Sequence, residues 1–315
     1  MPLEFGRRAR HAKLDRAVVD LDISNDGALI AASIDARVGA PSVQVLRARD
    51  GATVASYGAE TGSGYGVALA AGGREVWYLA EGDAGAKHLF RAPIAGGEAE
   101  QVAEYGLGER CHGLARDPEG ERVAVLGNFV DVWNVEHAEV EDHLEGLGRE
   151  RPVHAAFSAD GTSLYTYGTV EGHVARYQLG REREVARWPA PSSSGQQLAV
   201  SPSDAYLAAI GDGAQGIFVV DLATGQRVAP GSFHESSLVV GTYAFSHDDS
   251  LLMWGVSLAR AWRLDPGERI RGPELGSGRP LSIASARAAP LVAFGQDDGG
   301  LHWVGLREPA QRRRR

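Results

Sequence analysis

Short apolar runs alternate with polar turns along the whole chain, and the alternation repeats. The unit is an apolar run, a turn rich in Ser, Asp or Gly, then a second apolar run. It is plainest in AAFSADGTSLYTYG (155–168), LAVSPSDAYLAAIG (198–211) and YAFSHDDSLLMWG (243–255). Fainter copies are LDISNDGALIAAS (21–33), ALAAGGREVWYLA (68–80), GLARDPEGERVAVLG (113–127) and SIASARAAPLVAFG (282–295). Runs this short, split by a turn signal, predict β-hairpins rather than helices. Equivalent turn positions fall at Gly27, Gly73, Gly120, Gly161, Asp204, Asp249 and Ala288. Their spacing of roughly 40–47 residues is the period of a four-stranded propeller blade.

Each hairpin continues into further strands. Third strands are predicted at 42–47, 88–94, 130–135, 173–179, 216–222, 259–264 and 301–306, many of them alternating apolar and polar residues. Fourth strands follow tight turns, most clearly in ARDGATVASY and DLATGQRVAP, where Gly51 and Gly225 supply the turn. The seventh copy has no fourth strand of its own, because only REPAQRRRR follows its third. PLEF (2–5) can fill the gap: threading it into the last blade closes the ring and covers two sheet edges. Leu3 and Phe5 are then expected beside Trp303. The expectation is an all-β, seven-bladed β-propeller of four-stranded blades spanning 1–308, closed by the N-terminal strand. The blades are 17–58, 64–105, 112–145, 152–189, 195–231, 240–274, and 279–306 plus 2–5. Residues 309–315 form a polar, arginine-rich tail.

The SADG, SPSD and SNDG turns, the VWNV and AWRL third strands and the DLATG turn resemble a bacterial WD-repeat protein over nearly the whole chain. The chain departs from the strict family motif: no repeat opens on Gly-His and none ends in Trp-Asp, Trp133-Asn134 being nearest. The family's His–Ser–Asp–Trp hydrogen-bond network is therefore mostly missing, and blade stability is expected to rest on packing. Trp133, Tyr177 and Trp262 occupy matching third-strand positions and are expected in the core.

Composition removes several classes of function. The net charge of −9 argues against a nucleic-acid binder, which would present a basic face. No apolar stretch is long enough to span a membrane, and MPLEFGRRARHAK has no apolar run of the kind a secretory signal needs. A single cysteine, Cys111, allows neither an internal disulfide nor a thiolate zinc cluster, and a reducing cytoplasm fits it best. The hydrolase elbow G-x-S-x-G does not occur. Gly62-Ser-Gly-Tyr-Gly66 looks like a phosphate loop, but a strand follows it where a helix is required. Asp297-Asp298 reads as a turn between second and third strands, with too few oxygen ligands for calcium.

Two sets of residues remain. Asp20, Tyr65, His112, His154, Gln197 and Tyr243 lie where innermost strands begin, at one mouth of the central channel. Propeller enzymes such as lactonases place metal ligands and acid/base groups there, a likeness of shape only. His112 and His154 are one position apart in the repeat register, and the set holds few carboxylates, so no metal or cofactor is expected. The inter-blade loops on the same face mix charges with scattered apolar residues, as a docking face does. Anchors are expected among Tyr65, Leu107, Leu147, Phe233 and Tyr243, with Arg110, Arg149 and Arg151 as orienting charges and His112, His154 and Gln197 in the same contact set. The favoured reading is a monomeric, non-catalytic scaffold for a protein or peptide, engaging neither nucleic acid nor membrane. A channel-mouth hydrolase or isomerase, and a regulatory or sensory module, are the alternatives.

Overall fold

The computed structural model describes residues 3–58, 61–82, 85–106, 111–144, 152–168, 173–181, 183–189, 195–211, 217–228, 242–255, 257–265 and 267–308. They form seven antiparallel sheets and no α-helix. Two short N-terminal strands, β1 (Glu4–Phe5) and β2 (Arg10–Lys13), come first. The first blade is β3 (Val18–Ile23), β4 (Leu29–Ile34), β5 (Val43–Arg47) and β6 (Thr53–Tyr57). The second is β7 (Gly64–Ala70), β8 (Glu75–Glu81), β9 (Lys87–Pro93) and β10 (Glu100–Tyr105). The third is β11 (Gly113–Arg116), β12 (Arg122–Leu126), β13 (Val130–Asn134) and β14 (Glu139–Leu144). The fourth is β15 (Pro152–Phe157), β16 (Ser163–Gly168), β17 (His173–Gln178) and β18 (Arg183–Pro189). The fifth has β19 (Gly195–Val200), β20 (Tyr206–Gly211) and β21 (Ile217–Asp221), with the bridge Val220–Arg227 where a fourth strand would pair. The sixth is β22 (Tyr243–Phe245), β23 (Leu251–Gly255), β24 (Leu258–Arg263) and β25 (Glu268–Glu274). The seventh is β26 (Pro280–Ser285), β27 (Leu291–Gln296) and β28 (Gly300–Arg307).

The innermost strands β3, β7, β11, β15, β19, β22 and β26 each touch the next, and β26 touches β3. The ring is therefore closed. One cluster of buried apolar side chains fills each junction between neighbouring blades. Second strands are the most buried, because a sheet covers each face and a strand flanks each edge: β8 reads Val76, Trp77, Tyr78, Leu79 and Ala80, all buried. Fourth strands such as β6, β14 and β18 are largely exposed and carry register shifts in several blades, which blunt an otherwise open edge.

The turns explain why the repeat is visible in sequence. Gly27, Gly73, Gly120, Gly161, Asp204 and Asp249 all have positive φ, from 59° to 80°. Glycine reaches that region freely and aspartate tolerates it. Ala288 is the exception; its amide instead donates to Asn25 O in the first blade. A serine anchors four of the turns. Ser24, Ser158, Ser201 and Ser246 each accept the amide of the residue five along, at 2.9–3.0 Å. In three of them the hydroxyl also donates to an aspartate two along.

Closure uses more chain than PLEF. Glu4 and Phe5 pair with Arg307 and Leu306, and Arg10–Lys13 then pair with Trp303–Gly300 on the same strand β28. The fourth strand of the last blade is thus two pieces. Leu3 and Phe5 are buried with Val304 and Leu306 between the sixth and seventh blades, whereas Trp303 packs between the seventh and first. The expected contact with Trp303 fails because successive residues of β28 face opposite sides of the sheet.

The aromatic anchors also shift. Trp133 is buried, while Tyr177 and Trp262 are half-buried at cluster rims. The fully buried large aromatics include Trp77, Tyr78, Tyr165, Tyr167, Trp254 and Phe294 on second strands. Packing is not alone, either. Trp133 Nε1 donates to the Tyr105 hydroxyl (3.0 Å), which donates to Asp131 Oδ2 (3.1 Å), and His143 Nδ1 lies 2.5 Å from Asp131 Oδ1. This buried network ties the second blade to the third.

Candidate functional site: the two mouths of the channel

Counting back from each first turn aligns the channel wall. The residue four before the turn is Asp20, Gly66, Gly113, His154, Gln197, Thr242 and Ser282 in blade order. His112 and Tyr65 precede that position by one and Tyr243 follows it by one, so their side chains leave the opposite face of the strand. Two residues nearer the turn the wall reads Asp22, Ala68, Ala115, Ala156, Ala199, Ala244 and Ala284. Small side chains let the seven strands converge. At Gly66 the next blade leaves no room for a side chain: a Cβ there would come 2.7 Å from the Leu114 amide nitrogen.

The polar groups of the wall stitch blade to blade. Asp20 Oδ2 accepts the Val67 amide (2.9 Å) and Asp22 Oδ2 the Leu69 amide (2.7 Å). Gln197 repeats the device between the fifth and sixth blades, donating to Tyr243 O (3.2 Å) and accepting the Tyr243 amide. Burial pushes the Asp20 carboxyl up to about 7, and the neighbouring Asp22 adds to the rise against the pull of the Val67 and Leu21 amides.

At the inter-blade-loop mouth the remaining described residues have unlike surroundings. Tyr65 donates its hydroxyl to Glu81 (3.2 Å), and Lys87 Nζ stands 3.5 Å from its ring centroid. Burial, then Glu81, raises the Tyr65 phenol to about 12. His112 is exposed and His154 half-buried. Tyr243 is only 3% exposed and packs on Trp254, so its ring belongs to the core rather than to an exposed docking surface. Val38, 76% exposed on the connection between β4 and β5, adds an apolar group to this face that the sequence reading passed over. Leu107, Arg110, Leu147, Arg149, Arg151 and Phe233 lie outside the described residues. Asp297 and Asp298 form the expected turn: their carboxylates accept the Arg279 and Gly300 amides, and Asp298 also pairs with Lys13 at 3.3 Å.

The opposite mouth, where innermost strands end, holds a set of charged and polar ties that the sequence reading did not find. Arg116 stands where most other blades have Ile23, Leu69, Phe157, Val200 or Phe245. It reaches past the second blade to Asp22 (2.8 Å), the Asn25 side chain (3.1 Å) and Ile23 O (3.2 Å). Burial opposes its charge, but Asp22 more than restores it. Asn25 returns the tie by donating to Pro118 O (2.6 Å). Arg287 of the seventh blade likewise reaches Pro202 O in the fifth (2.8 Å). Among the described residues no three His, Cys, Asp or Glu side chains gather as a metal-binding group, and no helix is long and apolar enough to cross a membrane. No protein-family model matches the chain, and no curated protein matches it in sequence.

Proposed function

We propose that this chain is a non-catalytic scaffold that docks a protein or peptide on its inter-blade-loop face, a cytoplasmic, bacterial protein of WD-repeat type that is monomeric by itself. The stitching of the channel wall carries the reading. Asp20, Asp22 and Gln197, three polar groups of the wall, are engaged with backbone of the neighbouring blade. They hold the ring rigid, and a rigid ring presents its loops in fixed relation to one another. The face offers exposed Val38, half-buried Tyr65 beneath Lys87, and exposed His112 around that rigid frame. Apolar anchors among both signs of charge suit a protein partner, with charge guiding encounter and anchors setting the lifetime.

The test is partner capture by variants that leave the ring alone. Val38→Asp and Tyr65→Ala, and separately Phe233→Ala with Arg151→Ala, are expected to weaken capture about tenfold or more with unchanged melting temperature. Unaltered capture by all of them contradicts the docking face. Hydrolysis of a lactone or ester that is lost on His154→Ala contradicts the non-catalytic reading.

A further inference from the structure

At the mouth where the innermost strands end lies a cavity of 210 Å³. Arg116, Asp117, Ser285 and Arg287 line it together with Ala199 and Phe245. We propose that this cavity binds a carboxylate carried on a short apolar body, with the Arg287 guanidinium holding the carboxylate. The site lies opposite the docking face and stands or falls independently of that reading.

Charge balance points to Arg287. Arg116 is matched by Asp22 at 2.8 Å and Asp117 by Arg122 at 3.2 Å. Arg287 has no ion-pair partner among the described residues; it donates one hydrogen bond, to Pro202 O. A guanidinium has five N–H donors in a planar fork that matches a carboxylate, so most of its donors remain to be used. Burial lowers the Arg287 pKa; Asp204 works against that, and Arg116 adds to it. Asp249 and Glu119 support the Arg287 charge as Asp204 does, but none of the three forms a direct ion pair with it, and a partly buried cation without such a pair gains from an anion brought into contact.

Shape and lining narrow the class. A water occupies about 30 Å³ of liquid, so the cavity has the volume of about seven waters and suits a short acid rather than a nucleotide. Beside its charged and polar groups the lining carries Ala156, Ala199, Val200 and Ala244, which give a short aliphatic body a surface to pack on that a bare phosphate would not use. Such a carboxylate exists as a free short-chain acid or as the C-terminus of a peptide.

Calorimetric titration of the full-length protein separates these sources. The probes are butyrate against butyramide, and Ala-Ala-Val with a free against an amidated C-terminus. At least one carboxylate is expected to bind with Kd of about 1 mM or tighter, its amide at least about tenfold more weakly. Preference for butyrate identifies a free acid as the ligand class, and preference for the peptide a chain terminus. Arg287→Gln is expected to weaken binding about tenfold or more. Ala199→Val, which narrows the cavity by two methyl groups and leaves every charge in place, is expected to weaken binding with a melting temperature near the parent's, and keeps the test valid should Arg287→Gln fail to fold. The proposal is overturned if neither carboxylate binds at about 20 mM, if acid and amide bind alike, or if binding is unchanged in folded Ala199→Val. Loss of stability in Arg287→Gln, with no carboxylate bound by the parent, would overturn it in favour of a purely structural tie to Pro202.

Discussion

Single residues carry more of this fold than a repeat suggests, and Asp22 with Arg116 is the sharpest case. The pair is mostly buried, with side-chain exposures of 18% and 11%. Removing one partner leaves the other as an uncompensated charge, so Asp22→Ala is expected to destabilise by about 3–5 kcal/mol, while adding Arg116→Leu should recover most of the loss. Denaturant melts of the two single variants and the double variant check this, and additive losses would contradict it. Asp20 makes a pH-dependent counterpart. Its carboxyl is raised to about 7 in the folded chain from 3.8, so the stability it contributes is present in full below pH 4 and is lost as pH rises through about 7. Asp20→Asn keeps an oxygen for the Val67 amide and cannot ionise. It is expected to melt above the parent at pH 8, by an amount on the order of a few kcal/mol, with the gap narrowing below pH 7 and closing by about pH 4. A gap independent of pH would contradict the assignment. The sequence analysis passed over Asp22 and Arg116, although each departs from its register, the one an acid among six alanines and the other an arginine where five of the other six blades are apolar. What no one-dimensional pattern shows is that Arg116 reaches across a whole blade.

Elements were read more reliably, for a physical reason. A hairpin turn needs positive φ, few residues supply it, and six of the seven turn residues identified from spacing have it. Third strands fall within a residue or two of their expected bounds because half-buried alternation is a strong signal. The second closing strand was missed because Arg-His-Ala-Lys has no apolar rhythm; it is mostly exposed and held by backbone pairing to β28. The two closing strands therefore make separable contributions. Phe5→Ala is expected to cost about 3–5 kcal/mol, since the ring is buried between two blades. Deleting residues 1–6 should lower the melting temperature yet leave Arg10–Lys13 protected from hydrogen exchange, whereas deleting 1–13 should expose the whole edge of β28. Equal protection of β28 in both deletions would contradict closure by two pieces.

At the scale of the whole molecule, the ring has two unlike ends. The inter-blade-loop end carries Val38, Tyr65 with Lys87, and His112. The other end is braced by Arg116, Asn25 and Arg287, each of which links blades two apart. The repeat announced the ring in sequence but not this asymmetry, because the bracing residues are single departures in different copies. If the chain works by docking, a partner meets the first end. His112 and Glu119 are both exposed and lie at opposite ends of the third blade's innermost strand. A photo-reactive side chain placed at each in turn, and activated in cells, reports which end is covered. Docking on the inter-blade-loop face is expected to give a discrete protein adduct from position 112 and none from position 119; an adduct from 119 alone would contradict it.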